Sequence, residues 1–198
     1  MNNLIARIQA ILLKPKEEWV TIKSESTPVM TLFMKVVIPL AAIPAVCQFI
    51  GNALIGRRIP YLGAFRYPLG SALFQAILFY ALTVVSVYVA GMVVNALAPS
   101  FGSKANLENA MKLVVYGMIP GWLAGVFHIL PALGVLAFIA ALYGLYILYL
   151  GFQTPMMDTP QDKVIPYMVV SFLVIVGLMI VVGVVIGAIF AVGSMAGF

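Results

Sequence analysis

Residues 113–157 read LVVYGMIPGWLAGVFHILPALGVLAFIAALYGLYILYLGFQTPMM and contain no Asp, Glu, Lys or Arg. As one α-helix these 45 residues would extend about 67 Å, roughly twice the ~30 Å hydrocarbon core of a bilayer. The block must therefore fold back on itself as a helical hairpin. We predict the fold-back at Leu130-Pro131, because proline lacks a backbone donor and disfavours helix at the preceding residue.

The rest of the chain has the same apolar character. Of its 198 residues, 64% are hydrophobic and 9% are charged, whereas soluble domains carry roughly 25% charge. This composition excludes a soluble enzyme. Three more blocks without charge cover residues 36–56, 67–103 and 164–198. We therefore predict an all-α polytopic membrane protein with five transmembrane helices, at about 30–55, 70–97, 109–130, 132–152 and 165–190.

The distribution of Lys and Arg predicts the orientation, because these residues concentrate on the cytoplasmic side of membrane proteins. With the N-terminus inside, eight of the eleven basic residues and all six acids are cytoplasmic. We therefore expect the N-terminus and the loop at 153–164 to be cytoplasmic. The loop at 57–69 and Phe198 are expected outside.

The first 28 residues form a separate arm before the transmembrane domain of residues 29–198. An apolar stripe including Leu4, Ile8 and Ile11 predicts an amphipathic helix in the membrane interface, with packing on the bundle as the alternative. A second short helix is expected from Pro15, which suits the first helical turn. Trp19 is then expected at the headgroup level. The basic residues expected to contact lipid are Arg7, Lys14, Lys16, Arg57, Arg58 and Arg66.

Small residues recur at the spacing that lets membrane helices approach closely. They are Gly117, Gly121 and Gly125 in the third span and Gly183 and Gly187 in the fifth. We interpret them as helix-packing faces. Contacts within one chain and contacts between chains of an oligomer both remain open.

Prolines and amides interrupt two apolar spans. Pro39 and Pro44 in the first span and Pro120 in the third are expected to kink their helices. Gln48 and Asn52 lie four residues apart on one face of the first span. They could bond a neighbouring helix or line a polar crevice, and the first use is commoner.

The sequence offers little catalytic chemistry. No predicted span has an Asp, Glu or Arg in its interior, whereas proton-coupled transporters place such groups at mid-membrane. The chain has one histidine, His128, and one cysteine, Cys47, which we interpret as structural. We predict no catalytic residues and no cofactor. Nucleic-acid binding is not expected, because the basic residues flank apolar segments as lipid anchors do.

All six acids of the chain arrive at the predicted cytoplasmic side, from three segments. Loose ion pairing with nearby lysines is the plain interpretation. The sharper hypothesis is an oxygen-rich docking site for a basic protein partner or a divalent cation such as Mg²⁺ or Ca²⁺. The acids concerned are Glu17, Glu18, Glu108, Asp158 and Asp162.

Four motifs together resemble the bacterial inner-membrane branch of the YIP family. They are PKEEW at 15–19, AAIP at 41–44, YGMIP at 116–120 and YGLYILYLG at 143–151. The resemblance implies five spans, a cytoplasmic N-terminus and a location in the inner membrane. It supplies no catalytic residue. Eukaryotic members are named for interaction with Rab-type GTPases, and they carry a longer polar N-terminal region than the 28 residues present here.

These observations favour a non-catalytic membrane adaptor or organising scaffold. Its cytoplasmic face and arm would contact membrane lipids and a protein partner. The alternative is a permease for a small solute, ion or lipid that uses the proline-interrupted first and third spans.

Overall fold

The computed structural model describes residues 2–59, 63–130, 133–154, 156–177 and 180. In these residues the fold is helical except for turns and one short β-hairpin. The helices are α1 (Asn2–Leu13), α2 (Pro15–Ser24), α3 (Val29–Ile55), α4 (Leu69–Phe101), α5 (Leu107–Ile129), α6 (Gly134–Gln153) and α7 (164–177). The all-α membrane class predicted from the sequence is thereby confirmed.

Four of these helices are long and apolar enough to cross a bilayer: α3, α4, α5 and α6. They match the first four predicted spans to within a few residues. The fifth predicted span, 165–190, begins as α7 at residue 164. Its remainder, apart from residue 180, lies outside the described residues, so the fifth crossing stays a prediction.

Helix α5 is the centre of the bundle. In its most apolar window 72% of residues are buried, against 22–39% for the other three membrane helices. The predicted hairpin with α6 is confirmed. Helix α5 ends in a 3₁₀ turn at Gly125–Ile129, Leu130 is extended, and α6 begins at Gly134. Pro131 itself lies outside the described residues.

The prolines are accommodated within the helices rather than ending them. Pro39 has no N–H to donate to the carbonyl of Lys35, four residues earlier. Lys35 lies in a π-turn at Phe33–Val37, just before Pro39. Pro44 and Pro120 are buried inside continuous α-helical segments. The end of α3, Gly51–Ile55, is a second π-turn.

The bundle has two different ends. At one end, the arm (α1 and α2) meets the loops at 102–106 and 154–163, and we call this the arm end. At the other, strand Arg57–Ile59 pairs antiparallel with Gly63–Phe65, with Arg57 opposite Phe65. No sequence pattern at these residues predicted the hairpin. We call this the hairpin end.

Candidate functional site

The arm packs on the bundle through its apolar stripe. Ile11 is fully buried, and Leu4, Ile8 and Leu12 pack against the core. Of the two interpretations of this stripe, the structure therefore supports packing on the bundle over exposure to the membrane interface. The reason is that the stripe and the bundle bury apolar surface against each other, which is favourable because that surface is removed from water.

Trp19 also joins the arm to the bundle. Its indole is fully buried and Nε1 donates a hydrogen bond of 2.9 Å to the carbonyl oxygen of Ile147 in α6. Its ring stands edge-on to Tyr116, with 6.1 Å between ring centroids. The expectation that Trp19 marks the headgroup level is thus corrected. Gly151 makes the space, because a Cβ at that position would lie 2.7 Å from the indole.

Two polar side chains of the bundle bind the carboxyl ends of the arm helices. Tyr143 Oη donates to the carbonyl oxygen of Leu12 at 2.6 Å. The buried Lys112 Nζ donates to the carbonyl oxygens of Ile22, at 3.3 Å, and Glu25. Terminal helix carbonyls lack partners within their own helix and carry partial negative charge. Side chains of the bundle therefore donate hydrogen bonds to carbonyl groups at the carboxyl ends of both arm helices.

Arg7 joins the two arm helices. Its guanidinium forms ion pairs with Glu18 in α2 and with Glu25 just after it. Burial alone would lower the pKa of Arg7, but the hydrogen bond to Glu25 and the charges of Glu18 and Glu25 outweigh it and raise that pKa. The structure therefore directs Arg7 into an internal ion-pair network, not toward the lipid contact expected from the sequence.

Asp158 connects the arm to both loops of the arm end. Its carboxylate lies 2.9 Å from Lys104 Nζ and 3.1 Å from Lys23 Nζ, and these bonds lower the pKa of Asp158. Its φ of 50° is a left-handed conformation that few non-glycine residues adopt. Nearby, Ser103 and Thr159 are buried and hydrogen bonded at 2.9 Å. The two loops and α2 thus meet at one carboxylate.

The structure does not bring the five acids together as a cation site. Most of them face a basic residue instead: Glu18 pairs with Arg7, Glu17 with Lys14, Asp162 with Lys163, and Asp158 with two lysines. Over the described residues, no three His, Cys, Asp or Glu side chains are placed to hold a metal ion. The described structure therefore does not support a Mg²⁺ or Ca²⁺ site formed by Glu17, Glu18, Glu108, Asp158 and Asp162.

The glycines of α5 differ in what they face. A Cβ at Gly125 would lie 2.6 Å from Pro44 Cβ, and one at Gly117 would lie 3.2 Å from Leu148. A Cβ at Gly121 would meet nothing within 4 Å. This corrects the packing expectation for Gly121, which faces open space. Gly183 and Gly187 lie outside the described residues.

The two polar residues of α3, Gln48 and Asn52, differ in their surroundings. Asn52 is buried, and its backbone carbonyl accepts from the Tyr67 N–H at 3.2 Å. Gln48 is half-buried, and its Oε1 has no hydrogen-bond partner among the described residues. Neither residue lines the cavity of about 320 Å³ between α4, α5, α6 and α7.

The remaining basic residues expected at lipid lie on the surface where they are described. Lys14 and Lys16 are exposed on the arm, and Arg66 is exposed near the hairpin end. Arg57 and Arg58 belong to the first strand, and their side chains lie outside the description. Lipid contact by these residues stays a prediction.

The sequence of this chain is similar to those of known proteins. The family model for the Yip1 domain matches residues 10–196, nearly the whole chain. The chain belongs to the Yip1 family. It is 27% identical over 150 residues to the inner membrane protein YohC of Escherichia coli K12, which covers 74% of this chain and 77% of that protein. The protein of the same name from E. coli O6:H1 gives the same values. No solved structure matches.

Membership in the Yip1 family confirms the resemblance predicted from the four motifs, and two of those motifs contain residues that hold the arm. PKEEW includes Trp19 and Glu18, while YGLYILYLG includes Tyr143, Ile147 and Gly151. Sequence reasoning missed that they meet. It also missed Lys112, whose position inside an apolar helix was the available signal.

Proposed function

We propose that this Yip1-family membrane protein is a non-catalytic adaptor or organising scaffold of the bacterial inner membrane. The observation that supports this most is the docking of the arm, in which the buried Trp19 binds the backbone of α6. An arm held in this way presents one fixed surface together with the two loops tied by Asp158. A fixed surface suits recognition, since little conformational entropy is lost when a partner binds.

The arm end is proposed to be the cytoplasmic end. Of the eight basic residues assigned inside by the sequence, six belong to the arm and its two neighbouring loops, and Lys35 and Lys112 lie in the first two turns of α3 and α5. Five spans would then leave Phe198 outside. The inner-membrane name of the YohC relative supports the proposed location of this chain.

The outer face of the docked arm is proposed as the contact surface for lipid and protein. Its apolar side chains include Leu13, 80% exposed, and Val20, 62% exposed. The exposed Lys14 and Lys16 lie beside them. Apolar and basic groups side by side suit an anionic membrane surface or a complementary protein.

A permease that uses α3 and α5 remains the second candidate. The observations in its favour are the two π-turns of α3 and the buried Gln48 Oε1 without a partner in the described structure. Against it, no charged side chain lines the described cavity between α4, α5, α6 and α7. An apolar lining of this kind offers no path to an ion.

Three single-cysteine variants in a Cys47→Ser background test the proposal: Lys16→Cys, Asp162→Cys and, as control, Arg66→Cys. We expect a membrane-impermeant maleimide to label only Arg66→Cys in intact cells, and all three after the membrane is opened. A photo-reactive maleimide should then join a discrete protein partner to Lys16→Cys but not to Arg66→Cys.

Two outcomes would contradict the adaptor proposal. One is labelling of Asp162→Cys from outside intact cells, which would invert the orientation. The other is solute flux through the reconstituted protein that Gln48→Leu abolishes, because that result would establish the permease.

A further inference from the structure

Three arginines come together at the hairpin end of the bundle. Arg57 and Arg58 belong to the first strand, and Arg66 directly follows the second strand and is exposed. Because Arg57 pairs with Phe65, the Cα atoms of Arg57 and Arg66 lie within about 9 Å of each other. We call these three residues the arginine cluster.

The chain supplies no acidic side chain to neutralise the arginine cluster. All six Asp and Glu residues belong to the arm, the start of α5 or the loop at 154–163, and the sequence after residue 163 contains none. These six acids and the eight other basic residues leave a formal charge of +2, so the cluster supplies the other +3 of the total of +5. Most of the net charge therefore lies at the hairpin end.

The residue type of the cluster points to phosphate. All three basic residues at the hairpin end are arginine, whereas seven of the eight elsewhere are lysine. A guanidinium group donates two parallel hydrogen bonds to the oxygens of one phosphate, while an ammonium group acts as a point charge. Under the proposed orientation the cluster also lies outside, where Lys and Arg are disfavoured. An anchor that sets orientation would not be expected there.

Backbone hydrogen bonds tie both sides of the hairpin to the end of α3. The N–H of Gly56 donates to the carbonyl oxygen of Gly51 at 2.8 Å. The N–H of Tyr67 donates to the carbonyl oxygen of Asn52 at 3.2 Å. The arginine cluster is therefore held next to the end of a membrane helix.

The arginine cluster lies at the depth of lipid headgroups. The last residue of α3, Ile55, is 41% exposed, and the first residue of α4, Leu69, is 62% exposed, as suits side chains that face lipid. Arg57 follows Ile55 by two residues, and Arg66 precedes Leu69 by three. Two or three residues of extended chain cover about 7–10 Å, close to the headgroup layer of about 5–8 Å.

We propose that the arginine cluster binds the phosphate group of an anionic phospholipid such as phosphatidylglycerol. The depth of the cluster favours a lipid phosphate over a soluble one, because lipid phosphates are concentrated in the headgroup layer. A zwitterionic lipid such as phosphatidylethanolamine suits the cluster less, since its ammonium group would lie among three cations. The positive end of the α4 dipole, at Leu69, adds to the attraction for an anion.

The test measures lipid binding to the full chain in detergent micelles by native mass spectrometry. Phosphatidylglycerol and phosphatidylethanolamine with identical acyl chains are titrated, together with glycerol 3-phosphate, which carries the phosphate without the chains. One triple variant replaces the arginine cluster by glutamine and a second replaces it by lysine. The control triple variant removes three charges from exposed lysines nearer the arm end: Lys35→Gln, Lys104→Gln and Lys163→Gln.

We expect the wild type to bind phosphatidylglycerol about tenfold more tightly than phosphatidylethanolamine. Each basic residue near an anionic surface contributes about fivefold, so the glutamine variant should lose on the order of 100-fold. The lysine variant should lose about tenfold, because it keeps the charge without the paired hydrogen bonds. The control variant should bind as the wild type does.

Four outcomes would overturn the proposal. Equal losses in the glutamine variant and the control would mean that net charge alone governs binding. A lysine variant equal to the wild type would exclude recognition by guanidinium groups. Glycerol 3-phosphate bound as tightly as phosphatidylglycerol would indicate a soluble ligand, and equal binding of the two lipids would leave an acidic protein as the partner. Melting temperatures monitor folding, and if the glutamine variant does not fold, the lysine variant decides alone.

Discussion

Gly125→Ala is expected to destabilise the bundle by about 1–3 kcal/mol, although alanine is the better helix former by about 1 kcal/mol. The new Cβ would lie 2.6 Å from Cβ, 2.7 Å from Cα and 2.9 Å from N of Pro44. These atoms belong to a proline ring and its backbone, which cannot rotate out of the way. Helices α3 and α5 would have to move apart. The melting temperature in detergent and the yield of folded protein measure the effect.

Gly121→Ala is the matched control for this prediction, because it lies one turn earlier on the same helix and its Cβ meets nothing within 4 Å. It gains helix propensity without a clash, so its melting temperature should equal or exceed that of the wild type. His128→Ala should also have little effect, since His128 is exposed. A Gly125→Ala protein as stable as Gly121→Ala would refute the close contact of α3 with α5.

Trp19→Ala is expected to cost about 3–5 kcal/mol and to release the arm. The substitution empties a fully buried site and removes the hydrogen bond from the indole to the Ile147 carbonyl and the edge-on contact with Tyr116. Limited proteolysis measures release, because an undocked arm exposes its backbone between α1 and α3.

Val20→Ala serves as the control for Trp19→Ala. Val20 is the next residue in the same helix but is 62% exposed, so its truncation should leave both the melting temperature and the protease resistance unchanged. Equal cleavage of the arm in the wild type and in Trp19→Ala would mean that Trp19 does not hold it.

The membrane helices could be predicted closely because charges end each apolar block. Residues 36–56 and 113–157 had to be spans by length alone, and a bilayer permits few alternatives to a helix. Pro131 in an overlong block likewise located the hairpin. These inferences depend only on whether a segment is surrounded by lipid or by water, and the composition of the segment indicates this directly.

The docking of the arm could not be predicted in the same way. A stripe such as Leu4, Ile8 and Ile11 is equally suited to a lipid interface and to a protein surface, because periodicity does not identify what the stripe faces. Trp19 was assigned to the headgroups for the same reason. Its true contact depends on Gly151, which lies more than a hundred residues away.

Glycine spacing had a similar limit. Gly117, Gly121 and Gly125 share one face by sequence, yet Gly125 faces Pro44 while Gly121 faces a cavity. The difference arises from where α3 crosses α5, which no local pattern encodes. The ion pairs of the acids had the same limit. Arg7 pairs with Glu18, and Asp158 pairs with Lys23 and Lys104, which are distant in sequence, so only the tertiary structure shows these pairs.

The docked arm is tested most directly by treating the wild-type chain in inside-out membrane vesicles with a water-soluble carbodiimide, which joins adjacent amines and carboxylates without a spacer. Peptide mass spectrometry should find an amide between Lys23 and Asp158, whose charged atoms lie 3.1 Å apart. The Lys104 to Asp158 pair, at 2.9 Å, verifies that the reagent reaches this carboxylate. The contradicting result has three parts. The Lys104 to Asp158 product is recovered, cross-links form inside the arm, such as Lys14 to Glu17, and no cross-link joins the arm to residues 156–163.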